Sequence, residues 1–476
     1  MKNKVLLLNL PNKEQITRRY MCSYVSPESL MPPLELISLG AVAREWHGAE
    51  VQLIDAIAEK LDGESTMKRI HQFAPNLIVS ITGFECFEED MDMSRLIKKN
   101  NEQAKLVLFG HYATTFPKET LTHSSADFVI MGEGDLIFHD LLTSLFGSKP
   151  LTEVKGVVYK SEEQFVVQGA GERIPNPNEL PIPCYDLLPK EAYYEPLMAR
   201  PYGMIQTSRG CPYQCNFCVK SYGSKLTTLS VDRMIKEIKL WKQLHDIRSL
   251  RFIDDTFTVD KKRVIELCKR MIEEQFDLKW ACLSRTDNID RELLEWMKRA
   301  GCYRIYFGME SGSKRMLEMY HKKFTLEESL EAFSLCREEN IESAAFFMSG
   351  HPQESEDDFQ KTLAFVRKSE LNFASFNPLT PYPGTSLFTE LREGLDFSIY
   401  PYQNTWKDKT VYQQFTKRKK TFYRKFYLRP SYVLKNRHIF ISHFKEFLAI
   451  GVSLVSYVLL NGKSFVISGL KGADDE

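Results

Sequence analysis

Tyr202-Gly203-Met204-Ile205-Gln206-Thr207-Ser208-Arg209-Gly210-Cys211-Pro212-Tyr213-Gln214-Cys215-Asn216-Phe217-Cys218 joins an apolar run of strand character to a loop with three cysteines spaced CxxxCxxC. Arg209-Gly210 and Pro212 supply the turn chemistry between the two parts. No fourth cysteine lies nearby. Three thiolates from so short a segment can hold three irons of a cubane 4Fe–4S cluster, leaving the fourth iron open to another ligand. Iron–sulfur proteins that only carry electrons usually close the cluster with four cysteines. A three-cysteine loop therefore points to a cluster that works on a substrate. The other seven cysteines (Cys22, Cys86, Cys184, Cys268, Cys282, Cys302, Cys336) are scattered through apolar or helical patterns and read as buried thiols, not a disulfide framework.

Downstream of the loop, strand candidates Leu250–Ile253, Lys279–Leu283, Arg304–Gly308, Ala344–Met348 and Phe373–Asn377 follow Met204–Ser208. Helical patterns over Val231–Leu244, Lys261–Gln275, Asp290–Ala300, Leu326–Asn340 and Glu356–Ser369 separate them. Six βα units are too few for a closed eight-fold barrel, so the spacing predicts an open, partial (β/α)6 barrel. Active sites of parallel barrels lie at the carboxyl ends of the strands, and the cysteine loop follows the first of these.

Upstream, residues 1–147 alternate short apolar runs (Val5–Asn9, Val51–Ile54, Leu77–Ile81, Leu106–Phe109, Phe128–Met131) with amphipathic stretches. This alternation predicts a doubly wound, Rossmann-like parallel sheet with helices on both faces. Its ligand should sit outside the strand carboxyl ends, beside Asn9–Lys13, Thr82–Phe87, Gly110–Phe116 and Gly132–Asp135. The basic start and short apolar run at Met1–Leu10 read as a first strand and not a signal peptide, and the chain is expected in the cytoplasm. The Pro-rich segment Ile174–Pro183 marks an interdomain linker. The expected division is a first domain over 1–147, a linker over 148–200, a barrel over 201–390 and a mostly helical C-terminal extension over 391–476.

A chain of 476 residues exceeds one hydrophobic core. Its charges balance at 63 basic and 63 acidic residues, which argues against a nucleic-acid binder that relies on a bulk basic field. The extension contains a strongly basic and aromatic stretch, Thr410–Tyr427, then the mostly apolar run Phe447–Leu460. That run is shorter than the roughly twenty residues of a membrane span. It reads either as a helix buried against the core or as a peripheral membrane contact with the basic stretch at the lipid surface.

The cysteine loop, its place after a first barrel strand and the polar residues at later strand ends together resemble the radical S-adenosylmethionine superfamily. The resemblance implies that Cys211, Cys215 and Cys218 ligate the cluster. S-adenosylmethionine would chelate the open iron, and one electron would cleave it to a 5′-deoxyadenosyl radical. Phe217 would lie beside the adenine. Asp254 and Asp255, in Arg251–Phe257, would either cap the next helix or meet the methionine amine or the substrate. Arg285 resembles the basic residue that contacts S-adenosylmethionine; Glu310 and Ser311 resemble the polar pair near its amine and ribose. Met348–Glu354 and Pro381–Thr385 complete the set of strand-end motifs.

Phe109–Pro117 and Phe128–Asp135 resemble motifs of cobalamin-binding domains fused to such barrels. The resemblance makes Gly110, His111, Gly132, Glu133 and Gly134 the residues facing that cofactor, the glycines allowing close approach. The Asp-x-His-x-x-Gly signature of domains that ligate cobalt through histidine is absent, and His111 after a strand reads first as a hydrogen-bonding loop residue. The implied activity is methyl transfer to an unactivated carbon of a small-molecule or lipid-like substrate, fed by a reducing partner such as flavodoxin or ferredoxin. Oxidative cyclisation or rearrangement without methyl transfer, RNA modification, and non-catalytic electron transfer are the other readings. No nucleic-acid partner is expected from the charge balance.

Overall fold

The computed structural model describes residues 2–20, 23–25, 29–162, 164–396, 406–437 and 441. Cys22 and the apolar run Phe447–Leu460 lie outside the described residues.

Two sheets organise the chain, the second wholly parallel and the first parallel over five of its seven strands. The first has seven strands, in the order Glu50–Asp55, Lys4–Asn9, Leu77–Ile81, Lys105–Phe109, Phe128–Ile130, Val157–Ser161 and Gln164–Val167. The first five pair in parallel. Their runs are apolar on both faces because helices cover both, as Leu77–Ile81, buried at every position, illustrates. The last two strands lie within the stretch expected as linker and extend the sheet as an antiparallel ribbon.

The second sheet holds six strands in sequence order: Tyr202–Ile205, Ser249–Phe252, Lys279–Ser284, Cys302–Glu310, Glu342–Ser349 and Phe373–Pro378. Every neighbouring pair is parallel and the two outer strands are not joined, so the barrel is open. Six of the helices between and after the strands start on a side-chain cap: Ser230, Asp260, Asp290, Thr325, Ser355 and Thr385 accept from a backbone N–H one turn on. These caps fix where the helices begin, and so help set the rim on which the polar residues sit.

The six cysteines expected as buried thiols and lying within the described residues are buried and free. The basic aromatic stretch forms a helix over Lys409–Tyr427 whose Phe415, Phe422 and Phe426 are buried against the barrel. Phe422 stacks on Phe376 at 4.5 Å, and the buried Arg418 pairs with Glu354 at 3.0 Å. Tyr427 Oη accepts from the Ala374 N–H and donates to its carbonyl, and Tyr423 Oη accepts from the Phe376 N–H. Among the described residues, no helix is long and apolar enough to cross a membrane.

Candidate active site

The cysteine loop leaves the first barrel strand through Gly210, whose φ of +86° is open to glycine and strained for other residues. A Cβ there would collide with the Lys225 carbonyl. Behind the loop stands Asp254. It accepts from the Thr207 and Ser208 N–H groups at 2.5 and 3.0 Å and from the Thr207 hydroxyl, and pairs with Arg263 at 3.7 Å. The carboxylate is fully buried and its acceptor positions are taken. Asp254 therefore braces the loop from beneath, and the following helix is capped by Asp260 instead.

Asp255 points the other way. Its Oδ1 is buried without a hydrogen-bond partner among the described residues. Burial, then the neighbouring Asp254 charge, raises its carboxyl to about 6, with Arg19 opposing. Burial also raises the Cys211 thiol, with Asp255 adding to the effect. The Cys218 thiol is pushed up to about 12 by the protein packed round it, then by Asp255, Cys215 and Cys211. Its side chain nevertheless opens on a cavity. Among the described residues no three His, Cys, Asp or Glu side chains are placed to share one metal ion. A cubane's cysteines bind three different irons, so its site need not meet that condition. Three thiols on one short loop beside an unpaired carboxylate, two of them held protonated by burial, form a donor set that cationic iron would ionise and hold. The residues fit the cluster.

Around this loop the other expected residues divide. Phe217 is half-buried, edge-on to Tyr320 at 5.6 Å, with the Lys322 ammonium 5.7 Å from its ring centre. Lys322 also pairs with Glu310 at 3.0 Å, and Glu310 sits at φ +64°. Ser311 is buried, its hydroxyl 3.1 Å from that of Thr362 and accepting from the Ser313 N–H. Arg285 makes a two-pronged pair with Asp287 at 2.9 and 2.8 Å and stacks over Tyr213, a cysteine-loop residue, at 3.8 Å.

The first sheet presents its strand carboxyl ends to the same loop. A cavity of about 370 Å³ is bounded by His111, Thr114 and Gly132 on one side and by Cys215, Cys218 and Pro383 on the other. A second, of about 310 Å³, lies along Asn12, Lys13, Phe84 and Glu88, at the other strand ends expected to matter. Three buried atoms on residues lining the first cavity have no partner among the described residues: His111 Nδ1, Asn216 Oδ1 and Ser221 Oγ. Buried polar atoms are rarely left unsatisfied, so they fit a polar ligand there. Burial lowers the His111 imidazole to about 4, the Pro383 carbonyl opposing, so the ring is neutral at physiological pH. Gly110 (φ +121°) packs on the Thr82 carbonyl. At Gly132 an added Cβ would meet nothing, and its N–H donates to Thr114 at 3.1 Å. Gly134 starts a helix against Leu39.

Glu133 turns away from the cavity. Arg209, the residue before Gly210, donates through Nη1 to Glu133 and to Asp135, each at 2.6 Å. Arg173 adds a 3.3 Å contact to Glu133, and Ser38 a 2.7 Å bond to Asp135. Burial opposes the Arg209 charge, but Asp135, Tyr222 and Glu133 outweigh it and hold the guanidinium firmly ionised. This buried knot bolts the first sheet to the cysteine loop, and sequence reasoning passed over Arg209 and Asp135. The available signal was position: both lie inside the two quoted motifs. Tyr382 makes a further bridge, donating to Glu85 at 3.0 Å.

A radical SAM superfamily model matches residues 205–366, and a B12 binding domain model matches residues 24–142. An uncharacterised methyltransferase of Pyrococcus horikoshii is 31% identical over 92% of this chain and 95% of its own length. The anaerobic magnesium-protoporphyrin IX monomethyl ester cyclase of Cereibacter sphaeroides is 25% identical over 78% of this chain, which spans 62% of that enzyme. Among solved structures, the radical S-adenosylmethionine methyltransferase TsrM of Kitasatospora setae has a similar fold. Its TM-score is 0.68 at 18% identity, over 82% of this chain and 76% of that one.

Proposed function

The chain belongs to the cobalamin-binding branch of the radical S-adenosylmethionine superfamily, and on that premise we propose that it transfers a methyl group to an unactivated carbon of a small-molecule substrate. The observation that carries this reading is the shared cavity, in which Cys215 and Cys218 of the barrel face His111, Thr114 and Gly132 of the first sheet. Chemistry that uses two cofactors on one substrate needs both to open on one space. When bound, the cluster supplies the electron that cleaves S-adenosylmethionine, and cobalamin supplies the methyl group.

In this reading Cys211, Cys215 and Cys218 hold the cluster. Asp255, the acidic residue left free by Asp254, takes the methionine ammonium, and Phe217 flanks the adenine. Glu310, held by Lys322, and Arg285, held by Asp287, act as fixed charges at the rim. Gly132 leaves its backbone open to the corrin side, and neutral His111 offers Nδ1 as a hydrogen-bonding atom. Glu133 serves the interdomain knot and Ser311 its own loop; each shapes the site without facing a cofactor. A low-potential electron carrier supplies the electron.

The test is anaerobic loading with iron, sulfide and hydroxocobalamin, followed by incubation with trideuteromethyl-labelled S-adenosylmethionine, reductant and a small-molecule extract. Labelled product with both 5′-deoxyadenosine and S-adenosylhomocysteine is expected. Deoxyadenosine without S-adenosylhomocysteine would instead support oxidative cyclisation or rearrangement, the reading favoured by the similarity to the cyclase. Absence of both nucleosides would overturn the proposal.

A further inference from the structure

Between Lys409 and Arg437 the sequence carries ten Lys or Arg residues and no Asp or Glu, leaving the rest of the chain with 53 basic against 63 acidic residues. The Lys409–Tyr427 helix sorts this charge. Phe415, Arg418, Phe422 and Phe426 face the barrel. At 100° per residue, Lys417, Lys420 and Arg424 fall together on the opposite face, and the C-cap Leu428 continues that line. All three cations are exposed, with Lys425 beside them, and none of the four has an ion-pair partner among the described residues.

Aliphatic exposure is concentrated at the same place. Of the six large apolar side chains left exposed among the described residues, four are Leu428, Val433, Leu434 and Ile441. Leu428 is 75% exposed and Leu434 66%. A soluble monomer leaves single apolar residues exposed without consequence, but a cluster rimmed by charge marks an interaction site. The chain then continues into Phe447–Leu460, fourteen mostly apolar residues in sequence.

We propose that the outer face of the Lys409–Tyr427 helix, with Leu428 and the following Pro430–Lys435 helix, is a docking surface for an anionic lipid bilayer. Lys417, Lys420, Arg424 and Lys425 meet the headgroup phosphates, and Leu428, Val433 and Leu434 enter the interface. Two observations favour lipid over nucleic acid. Single-stranded nucleic acid is held by exposed aromatic rings interleaved with cations, whereas here Phe415, Phe422 and Phe426 are buried and Tyr423 and Tyr427 are bonded to the barrel backbone. The exposed apolar groups are aliphatic, which suits acyl chains. Stable peripheral binding also needs two signals together, a polybasic patch and an apolar one, and this segment supplies both.

The experiment is flotation of the full chain with vesicles of phosphatidylcholine alone or mixed with phosphatidylglycerol, at low and high salt. Binding to the mixed vesicles is expected, weakened by high salt and lowered at least about a hundredfold by the Lys417→Glu/Lys420→Glu/Arg424→Glu variant, since each of the three cations near an anionic surface contributes about fivefold. Leu428→Ser/Val433→Ser/Leu434→Ser should weaken it similarly. All six side chains are exposed, so unchanged thermal unfolding checks that the variants fold; should one fail, the salt dependence of the unaltered chain still decides. Equal binding to neutral vesicles, or none to either, overturns the proposal, the latter leaving the chain's own tail as the cover. Binding that survives charge reversal overturns it, as does capture of tRNA in preference to the mixed vesicles.

Discussion

Replacing Arg209 by alanine would leave Glu133 and Asp135 facing each other in a buried seam. The two carboxylates are 2% and 6% exposed, and Arg209 itself is 13% exposed. Arg173 reaches only Glu133, at 3.3 Å from a side chain 32% exposed, so Asp135 would keep only the Ser38 hydroxyl. Removing one partner of a buried pair costs about 3–5 kcal/mol because the remaining charge is uncompensated. Loss of the Arg209 contact with the Tyr222 ring, at 5.3 Å, adds about 0.5–1 kcal/mol. Against a total stability of about 5–15 kcal/mol, that is a large share. The assay is urea unfolding of the anaerobic chain followed by tryptophan fluorescence, with iron content per chain measured after cluster loading, because Arg209 immediately precedes Gly210-Cys211. Arg209→Lys should recover part of the loss. Arg209→Ala combined with Glu133→Gln and Asp135→Asn should recover more, since no charge is then stranded. Arg291→Ala is the internal control: its pair with Glu338 is 52% and 48% exposed, and such pairs contribute about 0–1 kcal/mol. An Arg209→Ala change no larger than that of Arg291→Ala would refute the reasoning.

Three further outcomes follow from the site. Asp254→Asn should cost about 3–5 kcal/mol and lower the iron bound after loading, because the loop-leading N–H groups lose a charged acceptor; an unchanged urea midpoint with full iron would contradict the strut role. Asp255 has its folded-state pKa raised from 3.8 to about 6, so the folded chain binds more protons than the unfolded one between those values. Stability should therefore fall as pH rises from about 4 to about 6, and Asp255→Asn should flatten that fall and raise the urea midpoint at neutral pH; a fall of the same slope in Asp255→Asn would count against it. Gly110→Ala places a Cβ against the Thr82 carbonyl at φ +121° and should cost at least about 2 kcal/mol, read as a lower thermal midpoint and weaker retention of hydroxocobalamin on gel filtration.

The features legible in the sequence were those carried by local periodicity and spacing. Strand runs such as Leu77–Ile81 are buried throughout and apolar at all but Ser80 because both sheet faces are covered, and the cysteine loop declares its chemistry within eight residues. What stayed hidden depends on which groups meet across distance. Arg209 finds Glu133 and Asp135 some 75 positions earlier in the chain, and a single sequence holds no record of that pairing. The roles of Asp254 and Asp255 were undecidable for a different reason. Successive residues leaving a strand point to opposite sides, so one of the pair had to turn inward, and only the packed Thr207, Ser208 and Arg263 determine which. The ribbon Val157–Val167 falls within the stretch the sequence assigns as linker, since only the edge strand Phe128–Ile130 gives its short strands a place to pair.

The tyrosines of the Lys409–Tyr427 helix bear on how an open barrel covers its last strand. Phe373–Pro378 is the last strand of a sheet that never closes, and its outward N–H and C=O groups would otherwise be a template for another chain's strand. Tyr423 and Tyr427 occupy the Phe376 N–H and both polar groups of Ala374, and Tyr432 donates to the Asn372 carbonyl. Side-chain hydroxyls thus do what a seventh strand would do, without adding a new edge of their own. The C-terminal helices are in this sense a stopper on that edge, and a chain shortened before them would bare the backbone groups that these hydroxyls occupy.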